Sequence, residues 1–278
     1  MLIYIHSNYK NYTGQERNLH SMRILLIRHG DPDYENDTLT EKGCREAELL
    51  AKRALSLHMG KCYVSPLGRA QRTALPSLEA AGCKAETVEW LQEFPAKLDV
   101  NKAPELAEAY PDIEKEGEKY RPRIVWDMAP GYLTEHEEYM DKINWRHSLV
   151  AKCSDMEDVY DKVTKEFDTL LAKHGYVREN GYYRVEKEST ETITLFCHFG
   201  LICVLLSHLW NVSPFTLWNS FALAPTSVTE VVTEERKQGI AYFRGLKIGD
   251  ISHLYAGNEE PSFAARFCET YSNKEQRH

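Results

Sequence analysis

Apolar positions along the chain fall into short runs that alternate with helical stripes. Ile24 to Ile27 is a continuous apolar run, too short for a helix, and reads as a buried parallel strand. It stops at Arg28-His29-Gly30, where Gly30 permits a sharp turn and Pro32 keeps the strand from continuing. Thr38-Leu39-Thr40-Glu41 is a capping box for a helix in which Ala47, Leu50, Ala51, Ala54 and Leu55 recur at helical spacing, to about His58. A second strand covers Lys61 to Ser65. Ser65 then serves as N-cap and Pro66 as first residue of a helix that reaches about Ala81 and ends at Gly82. A third strand spans Ala85 to Glu89.

The second half repeats this grammar. Met156, Val159, Val163, Phe167 and Leu170 line one face of a helix over Ser154–His174, with Ser154 capping its start and Gly175 its end. Asn180-Gly181 predicts a hairpin within Tyr176–Lys187. Thr192–His198 reads as a central strand, and the almost wholly apolar Gly200–Trp210 as a buried helix. Thr226–Thr233 and Ile240–Leu246 pair as an antiparallel edge. Between the halves, Pro95 to Trp145 is rich in charge and tyrosine and broken by Pro104, Pro111, Pro122, Pro130 and Gly131. Helices are predicted there over Pro104–Glu118 and Thr134–His147. The tail after Asp250 is mixed and fits a surface or an interface.

The 278 residues suit one large α/β domain with an insert. A net charge of −8 and a pI near 5.8 argue against a general nucleic-acid surface. A chain this acidic can bind an anion only by concentrating positive charge in one pocket, and Arg28 and Arg69 are placed to do so. No apolar run reaches the length of a membrane span. The seven cysteines include no Cys-x-x-Cys pair, which fits reduced, buried, cytoplasmic usage rather than disulfides or zinc. Cys197 adjoins His198 but alternation points it to the other face, into the core. Residues 1–21 have neither a structural period nor a targeting pattern. Met22 reads as the natural start and what precedes it as an upstream extension, with no role for His6 or His20.

Three motifs each follow a short strand: Arg28-His29-Gly30, Ser65-Pro66-Leu67-Gly68-Arg69-Ala70-Gln71-Arg72-Thr73-Ala74, and Thr194-Leu195-Phe196-Cys197-His198-Phe199-Gly200. In this order they resemble the histidine phosphatase superfamily, the phosphoglycerate-mutase-like family, from Met22 to about Ile248 with a poorly matching middle. The resemblance implies a three-layer α/β/α fold with a mostly parallel central sheet, an antiparallel edge and a helical cap insert. One domain over 22–278 would carry that cap at about 95–150. Arg28, His29, Arg69 and His198 would meet at the carboxyl end of the sheet and bind a phosphoryl group, joined by the backbone N–H of Phe199. His29 would be the nucleophile that becomes phosphohistidine, His198 a stabiliser of the transferred oxygens, and Glu93 the proton donor and later the base. Such chemistry needs no cofactor and no metal, because the arginines supply the charge.

Several positions depart from the family pattern. His198-Phe199-Gly200 replaces His-Gly-Gly. Glu35 stands where an asparagine is usual, with Asn36 one later. Phe94-Pro95-Ala96-Lys97 follows Glu93 in place of the usual Gly-x-Trp-Glu-Gly. The resulting expectation is a metal-independent phosphomonoester hydrolase acting on a small phosphorylated substrate, with phosphate ion as ligand. A phosphoglycerate-type mutase and a catalytically silent phospho-ligand-binding module are the alternatives, and oligomeric state stays open. Arg121, Arg123, Arg146 and His147 in the insert either hold a second anionic group or are solvated helix faces.

Overall fold

A computed structural model describes residues 21–110, 113–262 and 272. The expectations for residues 1–20 and for Cys268 lie outside the described residues. The sheet has eight strands. From one edge they are Tyr176–Glu179, Tyr182–Val185, Ile240–Asp250, Val228–Lys237, Arg23–Arg28, Thr192–Cys197, Lys61–Val64 and Ala85–Thr87. Arg23–Arg28 lies at the seam. It runs parallel to Thr192–Cys197, which continues parallel through Lys61–Val64 to Ala85–Thr87. On its other side every pairing is antiparallel. The sheet is therefore half parallel and half antiparallel, not mostly parallel with an antiparallel edge. The reason is local. Asn180 (φ 54) and Gly239 (φ 79) take left-handed conformations that close two tight hairpins, and each hairpin adds antiparallel partners.

Alternation along the first strand builds the three layers. Leu25 and Ile27 face helices Glu41–Leu57 and Gly68–Ala81, with Leu50, Ala54, Ala70 and Ala74. Ile24 and Leu26 face the other side, with Phe167 of helix Met156–Lys173 and the apolar helix Phe199–Trp210. Each such aliphatic side chain fully removed from water stabilises the fold by about 1.5–3 kcal/mol.

Helix starts differ in detail from the sequence pattern. Thr40, not Thr38, caps the first helix and accepts the Gly43 N–H at 3.0 Å. The second helix begins at Gly68, three residues after Ser65, with Leu67 rather than Ser65 at its N-cap position. The insert is not helical over the spans expected. It forms 3₁₀ turns at Pro104–Glu108, Glu137–Tyr139 and Asn144–His147, a short helix Pro130–Glu135 and two-residue strand pairs. Its prolines and glycines break any longer run. Its apolar residues, including Tyr110, Trp126 and Trp145, join the same core as the sheet. The described tail packs on the first helix, where Glu259 pairs with Lys42 at 2.7 Å and Arg45 at 3.0 Å.

Candidate active site

The carboxyl ends of the two central parallel strands bring Arg28, His29 and His198 together, and the start of helix Gly68–Ala81 adds Arg69. All four are buried. The two imidazole rings lie 5.1 Å apart, centroid to centroid. His29 Nδ1 is 2.7 Å from the Gly30 carbonyl, so Nδ1 carries the proton and Nε2 keeps its lone pair. Burial, reinforced by Arg28 and Arg69, holds His29 well below the ordinary histidine range. The ring is neutral, as a nucleophile must be.

Gly30 is needed for room rather than for a left-handed turn. A Cβ there would stand 2.9 Å from Gly43 O of the adjacent helix. Thr73 completes this corner: its hydroxyl accepts the Gly30 N–H at 2.9 Å and donates to Arg69 O at 2.7 Å.

His198 is likewise held neutral by burial and by the nearby His29, Arg69 and Arg28. Its Nε2 lies 2.7 Å from Ser65 Oγ, which already accepts the Leu67 N–H at 3.2 Å. Assigning the Ser65 hydroxyl as donor to Nε2 satisfies both groups and leaves the proton on Nδ1, which is buried without a protein partner. Ser65 reads as a helix cap in the sequence; here it orients a site histidine.

Arg28 donates to the Leu223 carbonyl, and its guanidinium carbon lies 5.4 Å from the Phe199 ring centroid. Phe199 thus turns its ring into the core and stacks on the arginine instead of narrowing the site. Arg69 Nη1 pairs with Asp37 at 2.6 Å, while Arg69 Nε is buried with no partner.

Glu93 follows the 3₁₀ turn Glu89–Leu91, and its Oε1 accepts the N–H groups of Phe94 (2.9 Å) and Leu201 (3.1 Å). Burial raises its carboxyl above the ordinary range, against the pull of those hydrogen bonds and of Arg28 and Arg69. Gly200 gives it space: a Cβ there would meet Glu93 Oε1 at 2.9 Å and Trp126 Cζ3 at 3.1 Å. The cap thus reaches the site through Trp126, which stacks with Phe94 and Trp218.

The insert's three candidate arginines already have carboxylate partners. Arg121 pairs with Glu114, Arg123 with Asp127, and Arg146 with Glu157 and Asp161, while His147 is exposed. Among the described residues no three His, Cys, Asp or Glu side chains group as a metal would require. No helix there is long and apolar enough to cross a membrane. Sequence reading missed Ser65 as a histidine partner, gave Thr73 no role of its own within the second motif, and missed Asp37 altogether.

Residues 24–125 match the model of the histidine phosphatase superfamily (branch 1). The chain is 26% identical over 145 residues to a probable phosphoglycerate mutase GpmB of Cronobacter sakazakii, a match covering 49% of this chain and 64% of that protein. The GpmB of Klebsiella pneumoniae subsp. pneumoniae matches over the same shares. Among solved structures, a mycobacterial glucosyl-3-phosphoglycerate phosphatase in complex with inorganic phosphate shares the fold at a TM-score of 0.51 and 18% identity, over 83% of this chain and 98% of that one. A mycobacterial hydrolase does so at 0.51 and 15%, over 83% and 99%. With these matches, the sheet order and the three motifs converging on one corner, the chain is similar to the histidine phosphatase superfamily, most directly over residues 24–125.

Proposed function

We propose that the chain hydrolyses phosphomonoesters without a metal, through a phosphohistidine on His29. One observation carries this reading. A neutral, oriented His29 lies between two arginines, beside two buried donors without protein partners, Arg69 Nε and His198 Nδ1. Buried polar atoms are rarely left unpaired, and phosphoryl oxygens would satisfy both.

In the first step His29 Nε2 attacks phosphorus and the P–O bond to the leaving group breaks. Glu93, protonated because burial raises its pKa, gives its proton to the departing oxygen. His198, Arg28, Arg69 and the Phe199 backbone N–H hold the three equatorial oxygens. In the second step Glu93, now a carboxylate, takes a proton from water as the water oxygen bonds to phosphorus. The P–N bond breaks, and phosphate leaves.

The test is phosphate release from 4-nitrophenyl phosphate with a chelator present, for wild type and His29→Ala, together with acid-labile labelling of wild type by phosphorylated substrate. Release and labelling by wild type alone support the reading. Release that stops with the chelator, or survives in His29→Ala, overturns it. The mutase reading rests on the names of the curated relatives. It predicts label on His29 that returns to an acceptor alcohol faster than to water.

A further inference from the structure

Tyr34 sits just after Asp33 in a small hairpin whose arms are Pro32–Asp33 and Thr38–Leu39. Asp37 of the same hairpin fastens it to the second helix through Gly68 N and Arg69. So fastened, the Tyr34 ring lies over the Arg69 guanidinium, whose carbon is 5.4 Å from the ring centroid. The residue is nonetheless 66% exposed. Burial raises the pKa of its hydroxyl, which also feels the charges of Arg28, Glu93 and Arg69. A lone exposed tyrosine means little. One stacked on the phosphate-binding arginine is a wall of the site.

Trp126 borders the same carboxyl from the cap side, since its ring carbons and Glu93 Oε1 crowd the same point beside Gly200. One aromatic side chain thus lies over the proposed phosphate-binding arginine and another beside the group that would protonate the leaving oxygen. The charge pattern points the same way. The three insert arginines that could hold a second anion each have carboxylate partners. Arg28 and Arg69 serve the phosphoryl group itself. A carboxylate or second phosphate on the leaving group would lose water without gaining a free countercharge from those arginines, whereas a flat apolar group gains aromatic contact.

Resting on the phosphomonoester reading above, we infer that Tyr34 is a substrate-binding residue and that the preferred leaving group is a flat, uncharged ring. The favoured class is an aryl-type phosphomonoester rather than a phosphoglycerate-like one.

Equilibrium binding of three phosphonates tests this without requiring turnover: phenylphosphonate, methylphosphonate and 2-carboxyethylphosphonate. Wild type should bind the phenyl compound about tenfold more tightly than either of the others, one decade being about 1.4 kcal/mol. Tyr34→Ala should bring that ratio close to one, and Tyr34→Phe should keep it because the ring remains. Tighter binding of 2-carboxyethylphosphonate by wild type, or an unchanged ratio in Tyr34→Ala, overturns the inference. Phosphate release from phenyl phosphate, measured alongside, separates the two claims. Selective binding without release sinks hydrolysis alone, and release without phenyl selectivity sinks the substrate class alone.

Discussion

Asp37 and Arg69 form an ion pair 2.6 Å long, and the second oxygen of the same carboxylate takes the Gly68 N–H at 2.6 Å. One side chain thus fixes both the Arg69 guanidinium, proposed above to bind phosphate, and the helix start that carries it. Partial burial works against the Asp37 anion, yet the Gly68 N–H and Arg69 hold its carboxyl below the usual range. Because Asp37 is 41% exposed, the pair should add little to stability. Its value lies in position. Asp37→Ala is expected to lower kcat/KM by about tenfold to a hundredfold, as misplacement of an anchoring group does, with a change in Tm of only a few degrees. Steady-state kinetics and thermal unfolding check this. A large loss of Tm with full activity in the folded fraction would assign Asp37 to stability instead.

Gly200 offers a steric test of the cap's contact with the acid. An added Cβ must displace Glu93 Oε1, 2.9 Å away, or the Trp126 ring, 3.1 Å away. Overpacking of this kind costs about 1–3 kcal/mol of stability. Gly200→Ala should also lower kcat by at least about tenfold with little change in KM, since the arginines are untouched. Tryptophan emission should shift as Trp126 moves. Unchanged kcat would mean that Glu93 does not need this placement.

The motifs were legible because each combines a strand end with residue types that have few other uses. Arg28-His29-Gly30 and His198-Phe199-Gly200 read as site corners, and adjacent parallel strands place them there. The long antiparallel half was underestimated because Val228–Lys237 turns polar toward its end, where the hairpin leaves the core. The insert was misread as helical because its turns are 3₁₀ and too short to establish a period. Asp37 and Tyr34 carry no periodic signal at all; they matter only because a two-residue-armed hairpin folds them back onto Arg69. Ser65 was seen but given the commoner role of its residue type.

Glu93→Gln separates proton donation from shape. Glutamine accepts hydrogen bonds as the carboxylate does, but it cannot give a proton to a leaving oxygen. With a poor alkyl leaving group the single-turnover rate of the first step should fall by roughly 10²–10⁴. With 4-nitrophenolate, which leaves without help, the first step should be nearly spared. Wild-type activity should also decline as pH rises through the raised pKa of Glu93, while neutral His29 and His198 impose no loss on the acid side near their ordinary range. A pH–rate profile shows whether Glu93→Gln abolishes the alkaline limb. Equal losses on both leaving groups in the single-turnover first step, which the shared second step does not affect, would remove Glu93 as the donor.

Glu46 links the site to stability through pH. It is fully buried under the loop after His29, and accepts the Asp31 N–H at 2.8 Å and the Ser262 N–H at 3.3 Å. Burial raises its carboxyl to about 7, with the Asp31 charge adding to the rise and the hydrogen bonds and Lys42 opposing it. The folded chain therefore holds this proton more tightly than the unfolded chain, whose carboxyl titrates near 4.5. The sign follows: this contribution is complete below about pH 4.5 and is lost as pH rises to about 7, by up to roughly 3 kcal/mol. His253 acts the other way. Lowered to about 4 by burial and by Arg53, it makes stability rise with pH up to the unfolded histidine range. The informative quantity is therefore the difference in Tm between wild type and Glu46→Gln, followed from pH 5 to 8. Since glutamine does not titrate, wild type should lose Tm relative to the variant across this range. A parallel pair of curves would mean that Glu46 is ionised throughout, with its two N–H donors outweighing burial.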